Sequence, residues 1–304
     1  MACGNNIELS RVYLKFLDCD RVDYDTVIKG IEKAKSLGAS HVRVIDPLNV
    51  SSDILEIFLE SIASLNMLIS LDIPFESASI DYVEMIKRYA SHVDFGITFT
   101  PPLFPSGSYF TGLLANVHIN EINYKSVEDD ICMCFDLYQF ARVKLFAYVH
   151  RIRNIEAYFY VIEKTKALYK VYGDDKIHSL FPPWLLDTYT MRLTRTMCSH
   201  DMTVGILSDG GVCICNVDLS KFNHIPNLKE QSLENIVLSY EPIVDFRALN
   251  PNLLQGVCSR CIFKTNCCNI CPSLVFNFTG SFYKSFPDCQ YLYDKGAFPC
   301  DILV

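Results

Sequence analysis

The chain has 304 residues, of which 50% are hydrophobic and 20% charged, and its formal net charge is -8 at pH 7. This composition excludes a disordered chain, and the acidic balance argues against a protein built to bind nucleic acid. The sequence has no apolar run near the roughly 20 residues that span a bilayer and no signal-peptide pattern, so we expect a cytoplasmic protein with no membrane partner.

Strand-like and helix-like segments alternate through the first 190 residues. The hydrophobic pattern predicts strands over residues 12–17, 41–45, 67–73, 93–98, 113–119 and 143–149. Helices are predicted over 23–37, from an N-cap at Ser51 or Ser52 to Leu65, around 79–90 and near 154–172, with a loop over 100–111. Such units indicate a parallel sheet with helices outside, and about six of them fit, which is too few for a closed eight-fold barrel. The sequence therefore predicts an α/β fold, a partial (β/α)6 barrel over residues 1–187.

The 14 cysteines are unevenly distributed. Four of them precede residue 190, and ten follow it. Thiols stay reduced in the cytosol, so this number indicates metal binding more than disulfides. The change in density predicts a second, loop-rich domain over residues 188–304. In the first region, the pair Cys132 and Cys134 is interpreted as small core residues of a helix.

Seven cysteines form the informative pattern. They are Cys198, Cys215, Cys258, Cys261, Cys267, Cys271 and Cys289. Soft thiolates are natural ligands for iron–sulfur clusters and for zinc, and a two-residue gap lets two sulfurs reach one centre. Asp209-Gly210-Gly211 predicts a tight hairpin turn that brings the chain back. Zinc is the serious alternative to iron–sulfur, because Cys-x2-Cys pairs also build zinc sites.

This pattern resembles a complete SPASM domain, the C-terminal extension of radical S-adenosylmethionine (SAM) enzymes that modify ribosomally made peptides. The resemblance implies a partial barrel of radical-SAM type ahead of it and two [4Fe–4S] clusters. By position, one cluster would be held by Cys258, Cys261, Cys267 and Cys289, and the other by Cys198, Cys215 and Cys271.

The second of these clusters would lack one cysteine ligand. Relatives with full ligation carry a cysteine six residues before the first of the pattern, where this chain has Arg192. The resemblance therefore implies an open iron site, or a substitute ligand from Cys213 or Cys268.

The sequence lacks the two motifs with which the family cleaves SAM. The family's Cys-x3-Cys-x2-Cys loop follows the first strand, where this chain reads Asp18-Cys19-Asp20 and has a single cysteine. The family's Gly-Gly-Glu-Pro motif follows the second strand, where this chain reads Asp46-Pro-Leu-Asn49. The absence of both motifs indicates a pseudoenzyme with a degenerate barrel, which does not cleave SAM.

Three functions are compatible with these features. The first is an accessory iron–sulfur protein of peptide maturation that binds a precursor peptide, an active radical-SAM maturase, or both. The second is an iron–sulfur redox enzyme that acts at the open cluster site. The third is a peptide-binding module in which the metal is purely structural, since metal binding can supply folding free energy.

Overall fold

The computed structural model describes residues 7–17, 21–74, 80–89, 93–99, 113–173, 175–179, 181–186, 203–267 and 271–304. The chain forms two compact units, each of which combines a stretch from either half of the sequence. The first unit contains Met1–Phe95 and Ser199–Leu249, and the second contains Gly96–Cys198 and Asn250–Val304. The predicted boundary at residues 187 and 188 lies outside the described residues and stays a prediction.

The first unit is built on a mainly parallel sheet whose strand order is β3-β2-β1-β8-β9. Its strands are β1 (Arg11–Lys15), β2 (His41–Ile45), β3 (Leu68–Pro74), β8 (Thr203–Leu207) and β9 (Val212–Cys213). β1 pairs in parallel with both β2 and β8, so that Arg11 lies opposite His41 and Thr203. The sequence pattern predicted β1 to β3 but not the pairing of β1 with β8, which joins residues almost 200 positions apart.

The first unit has five α-helices among the described residues, of which the first three lie where the sequence predicts them and the last two were not predicted. They are α1 (Tyr24–Ser36), α2 (Ser52–Ser64), α3 (Ile80–Lys87), α7 (Leu233–Ser239) and α8 (Glu241–Arg247). The Asp23 side chain caps α1 by accepting a hydrogen bond from the Thr26 N–H, and Ser51 caps α2 through the Ile54 N–H. Gly38, at φ +104°, follows the end of α1, in a conformation that side chains other than glycine rarely adopt.

The second unit contains a parallel sheet of strand order β7-β6-β5-β4. Its strands are the part of β4 (Val93–Phe99) from Gly96 onward, β5 (Leu114–Ile119), β6 (Arg142–Ala147) and β7 (Ile177–Ser179). The helices are α4 (Val127–Cys132), α5 (Val149–Ile152), α6 (Ile155–Tyr172), α9 (Val257–Arg260), α10 (Lys264–Cys267), α11 (Pro272–Thr279) and α12 (Pro287–Asp294). The prediction of a strand through residue 149 is wrong at its end, because the chain turns into the short helix α5 there.

The predicted α/β class with parallel strands is confirmed, while the loop predicted over residues 100–111 lies outside the described residues. Asp209-Gly210-Gly211 forms the predicted tight turn between β8 and β9, with Gly210 at φ +89°. Over the described ranges, no helix has the length and apolarity needed to traverse a bilayer.

Candidate metal centre

The segment that carries Cys258 is held in place by side chains from the region of α12. The Ser285 hydroxyl accepts a hydrogen bond from the Cys258 backbone N–H at 3.0 Å, and the Gln290 side-chain oxygen accepts one from the Val257 N–H at 3.0 Å. Gly256 lets these side chains approach, because a Cβ at this position would lie 2.5 Å from the Ser285 hydroxyl and 2.4 Å from the Gln290 oxygen. These contacts therefore fix the backbone position from which the Cys258 side chain extends.

Cys261 is positioned by the last residues of the chain. It forms an isolated antiparallel bridge with Leu303, and the Ile262 N–H donates to the Ile302 carbonyl at 3.0 Å. α9 ends at Cys261, whose backbone is extended, so the chain leaves the helix as soon as this thiol is placed. The C-terminal segment thus acts as a brace for the second cysteine of the Cys-x2-Cys pair.

Cys267 and Cys289 come from two further elements. Cys267 ends the short helix α10 and donates its backbone N–H to the Phe263 carbonyl at 2.7 Å. Cys289 is buried in α12, one residue after Asp288. The Asp288 carboxylate accepts a 2.9 Å hydrogen bond from the Tyr158 hydroxyl of α6 inside the protein, and this contact fixes the start of α12.

These four cysteines line one pocket within the second unit. The pocket has apolar walls around the thiols and a single lysine at its margin. The thiols are those of Cys258, Cys261, Cys267 and Cys289, and the other lining residues are Pro182, Trp184, Leu254, Phe263, Lys264 and Phe298. Sulfur donors in an apolar surrounding of this kind suit a soft metal centre.

The thiols of the pocket differ in how readily they lose a proton. A hydrogen bond with the Cys289 thiol lowers the pKa of Cys258 to about 7, against the effect of burial. The same hydrogen bond, together with burial, raises the pKa of Cys289 well above its ordinary value. Burial also raises the pKa of Cys261. Because thiolates are the metal-binding form, Cys258 is the thiol of this pair that is most readily available as a ligand.

The thiols surround the pocket without converging on one ion. In the portions of the chain that the structure describes, no three or more His, Cys, Asp or Glu side chains form a group that could hold a metal ion. The chemistry of the donor set nevertheless fits an iron–sulfur cluster, since thiolates ligate such clusters and the buried Trp184 indole N–H makes no hydrogen bond of ordinary geometry among the described residues.

The three cysteines predicted for a second cluster are located separately. Cys198 lies outside the described residues. Cys215 belongs to the first unit, is 6% exposed and has the unusual φ of +29°, whereas half-buried Cys271 immediately precedes α11 of the second unit. Their grouping stays a prediction.

Of the two candidates for the fourth ligand, Cys213 lies in the part of the chain that the structure describes. Cys213 is buried in β9, where its sulfur lies against Gly205 of the neighbouring strand. Burial raises the pKa of Cys213 to about 12, which opposes the thiolate form. Cys268 and Arg192 lie outside the described residues. The surroundings of Cys213 are those of a core residue.

The connection between β1 and α1 is the place where the family's catalytic loop would lie. The Ser208 hydroxyl ties this connection at its base, since it accepts from the Leu17 N–H at 3.1 Å and donates to the Arg21 carbonyl at 3.0 Å. Only residues 18–20 separate the two tied positions, and they lie outside the described residues, Cys19 among them. After β2, Asp46 adopts φ +53° and residues Pro47–Asn49 form a single helical turn.

Of the pair formed by Cys132, at the end of α4, and Cys134, in the π-helical segment that follows, one member has the structural role that the sequence indicates. Cys134 is fully buried, and burial raises its pKa well above the ordinary value. Cys132 is half-buried and hydrogen-bonds to the Tyr172 hydroxyl. Cys134 is therefore a core residue, while Cys132 belongs to a polar contact between α4 and α6.

Comparison with protein families gives a match over residues 198–262 to the SPASM model, described as an iron–sulfur cluster-binding domain. This region therefore resembles a SPASM domain. The match includes four of the seven predicted ligands, Cys198, Cys215, Cys258 and Cys261, and ends before the other three. No curated protein matches the chain.

Solved structures of one protein share the fold. SuiB from Streptococcus suis, bound to S-adenosylmethionine, aligns with a TM-score of 0.61 at 11% identity, over 94% of this chain and 78% of that chain. SuiB bound to the precursor peptide SuiA aligns with a TM-score of 0.54 at 12% identity, over 80% of this chain and 67% of that chain. At these identities the likeness shows the fold alone, and it agrees with the predicted α/β architecture.

Several residues of the site carry no motif in the sequence. Ser285 and Gln290 support the Cys258 segment, and Trp184 and Phe298 form part of the pocket wall. Trp184 follows a Pro-Pro dipeptide far ahead of the cysteines it meets, so local sequence gives no indication of this contact. Asp288 is the exception, because a carboxylate beside a predicted ligand could have been identified as a candidate for a supporting role.

Proposed function

We propose that this protein is a non-SAM-cleaving iron–sulfur accessory protein of ribosomal peptide maturation. In this proposal Cys258, Cys261, Cys267 and Cys289 hold one [4Fe–4S] cluster, and Cys198, Cys215 and Cys271 hold three corners of a second. The observation that carries the proposal is the pocket of the second unit, where four thiols from three separate segments share one apolar surrounding.

When bound, a [4Fe–4S] cluster supplies one-electron redox chemistry. The residues of the chain prepare the place for it. The pKa of Cys258 is lowered to about 7, and the hydrogen bond that the Cys258 N–H donates to Ser285, with the C-terminal brace at Cys261, holds these two cysteines at the pocket. The walls formed by Trp184 and Phe298 exclude water from the sulfurs.

The absence of SAM cleavage is supported by the connection between β1 and α1. This connection has one cysteine in place of three, and the Ser208 hydroxyl joins its two sides. With one cysteine here, the chain lacks the three thiolates that hold the SAM-binding cluster in the family it resembles.

The proposed partners are a precursor peptide and an active radical-SAM maturase, and the proposed location is the cytoplasm. Peptide binding is supported by the shared fold with SuiB, whose solved complex contains its precursor peptide. The maturase follows from the proposed loss of SAM cleavage, since a chain without this chemistry needs an enzyme that performs it.

Two measurements test this function: an assay of SAM cleavage by the isolated chain and the formation of a complex with a maturase. The reconstituted chain is incubated with SAM and dithionite, with an active radical-SAM enzyme as the positive control, and 5′-deoxyadenosine is measured. We expect none from this chain, and a stable anaerobic complex when it is co-expressed with the radical-SAM maturase encoded nearest to it. Deoxyadenosine formation by the isolated chain would overturn the pseudoenzyme proposal.

Two alternatives predict different outcomes of a redox titration. Clusters that cannot be reduced in a physiological range of potential would favour a structural peptide-binding module. Turnover of a substrate at the proposed open iron without any maturase would favour an independent redox enzyme.

A further inference from the structure

Trp184 is the one tryptophan of the chain and has an unusual position. It lies in the helical turn Pro183–Leu186, and its ring packs edge-on against Phe298 with the ring centroids 4.8 Å apart. Its indole Nε1 is completely buried and makes no hydrogen bond of ordinary geometry in the ranges that the structure describes. A buried indole N–H usually finds a partner, so this donor requires an explanation.

The surroundings of the indole show what such a partner would be. Trp184 lines the same pocket as Cys258, Cys261, Cys267 and Cys289. Within this pocket, the indole N–H approaches the Cys289 sulfur. A neutral thiol is a weak acceptor. The sulfur of a metal-bound thiolate carries more negative charge and is a stronger one.

We propose that the Trp184 indole N–H donates a hydrogen bond to a sulfur of the cluster held at Cys289 and thereby raises the reduction potential of that cluster. This inference rests on the proposed [4Fe–4S] cluster of the second unit. Reduction adds one electron and hence negative charge to the cluster, so a hydrogen-bond donor stabilises the reduced state more than the oxidised state. Trp184 is in this sense a positioning and tuning residue and not a ligand.

The substitution Trp184→Phe removes the donor and keeps an aromatic ring against Phe298. The matched control is Phe298→Leu, which alters the same wall but keeps the indole N–H. The midpoint potential of each reconstituted protein is measured by titration with dithionite, followed by electron paramagnetic resonance. We expect Trp184→Phe to retain its iron and to reduce about tenfold less favourably, which is about 59 mV for a one-electron couple. Phe298→Leu should shift the potential by much less.

Two measurements on the unmodified protein keep the inference testable if Trp184→Phe fails to fold. Tryptophan emission, which comes from Trp184 alone, should be quenched when iron and sulfide are added. Electron–nuclear double resonance of the reduced cluster in H2O and D2O should show an exchangeable proton coupling.

The outcomes separate this inference from the function on which it rests. If the wild-type chain takes up no iron and sulfide, the cluster proposal itself fails. If the cluster forms but its reduced state shows no exchangeable proton, or if Trp184→Phe leaves its potential unchanged, the role of Trp184 is overturned and the cluster proposal stands.

Discussion

At the scale of single residues, the surroundings of a cysteine decide its chemistry. Cys258 lies in a pocket with three other thiols, and its hydrogen bond with Cys289 lowers its pKa to about 7. Cys213 lies in a β-strand against Gly205, and burial raises its pKa to about 12. The first has the properties of a ligand and the second those of a core side chain, although both were candidates on sequence.

We expect Cys258→Ser to lose one cluster. Serine is a poor ligand for iron–sulfur clusters, so iron and acid-labile sulfide should fall from about eight to about four per chain. Iron and sulfide are counted after anaerobic reconstitution. The control is Cys300→Ser, at an exposed cysteine outside the motif, which should keep its full iron content. Equal iron content in the two variants would contradict the assignment of Cys258.

A second residue-scale prediction concerns Asp130 in α4. This carboxyl is 1% exposed, and desolvation raises its pKa to about 6 although the Ser126 hydroxyl donates to it at 3.0 Å. The folded state therefore binds the proton more tightly than the unfolded state, whose pKa is about 3.9. The stabilising contribution of this carboxyl is complete below about pH 4 and is lost as the pH rises through 6.

At pH 7 the buried carboxylate is charged, whereas the amide in Asp130→Asn is not. The change in the free energy of unfolding caused by this substitution should therefore be more favourable at pH 7 than at pH 4, by about 1–3 kcal/mol. The free energy of unfolding is measured in urea at both pH values. The exposed neighbour Asp129 supplies a control of equal charge change, Asp129→Asn, in which the buried Asp130 carboxyl is retained. A stability difference that does not change with pH would show that the Asp130 carboxyl titrates normally.

At the scale of elements, the site depends on a short segment that only glycine allows. Gly256 has φ +63° and ψ -149°, a backbone conformation almost restricted to glycine. A Cβ there would also meet the side chains of Ser285 and Gln290, which hold the backbone ahead of Cys258. The position of α9 and its cysteine therefore follows from one turn.

Gly256→Ala should destabilise the second unit by about 2 kcal/mol or more, through backbone strain and the displaced hydrogen bonds, and should reduce cluster content. Thermal unfolding and an iron count measure the two effects. Gly280→Ala is the matched control, because Gly280 has φ +72° at the end of α11 and nothing lies within 4 Å of its would-be Cβ. This control should cost only about 1–2 kcal/mol and keep the iron. If both variants behave alike, the close approach at Gly256 has no special role.

The elements also show how far the sequence leads. The helix cap at Ser51 and the turn at Gly210 are local signals, and both predictions are confirmed. The pairing of β1 with β8 and the arrival of Trp184 at the cysteines depend on contacts between distant segments. Hydrophobic periodicity carries no information about which distant segments meet. Because of this, the cysteines of the pocket could be named in advance but its walls could not.

At the scale of the whole molecule, a cysteine-lined pocket occurs together with a connection that has few cysteines. Residues 198–262 match the SPASM family model, and four thiols line a pocket of the second unit. The connection after β1 in the first unit has a single cysteine and is tied by Ser208. This combination is the basis for our proposal that the chain holds clusters for another protein's chemistry.

The most direct test of this account is Mössbauer spectroscopy of the chain after anaerobic reconstitution with iron and sulfide, combined with metal counting. If the chain holds two [4Fe–4S] clusters, we expect about eight irons per chain, an equal amount of acid-labile sulfide, and spectra typical of [4Fe–4S] clusters. Tightly bound zinc without acid-labile sulfide would contradict it.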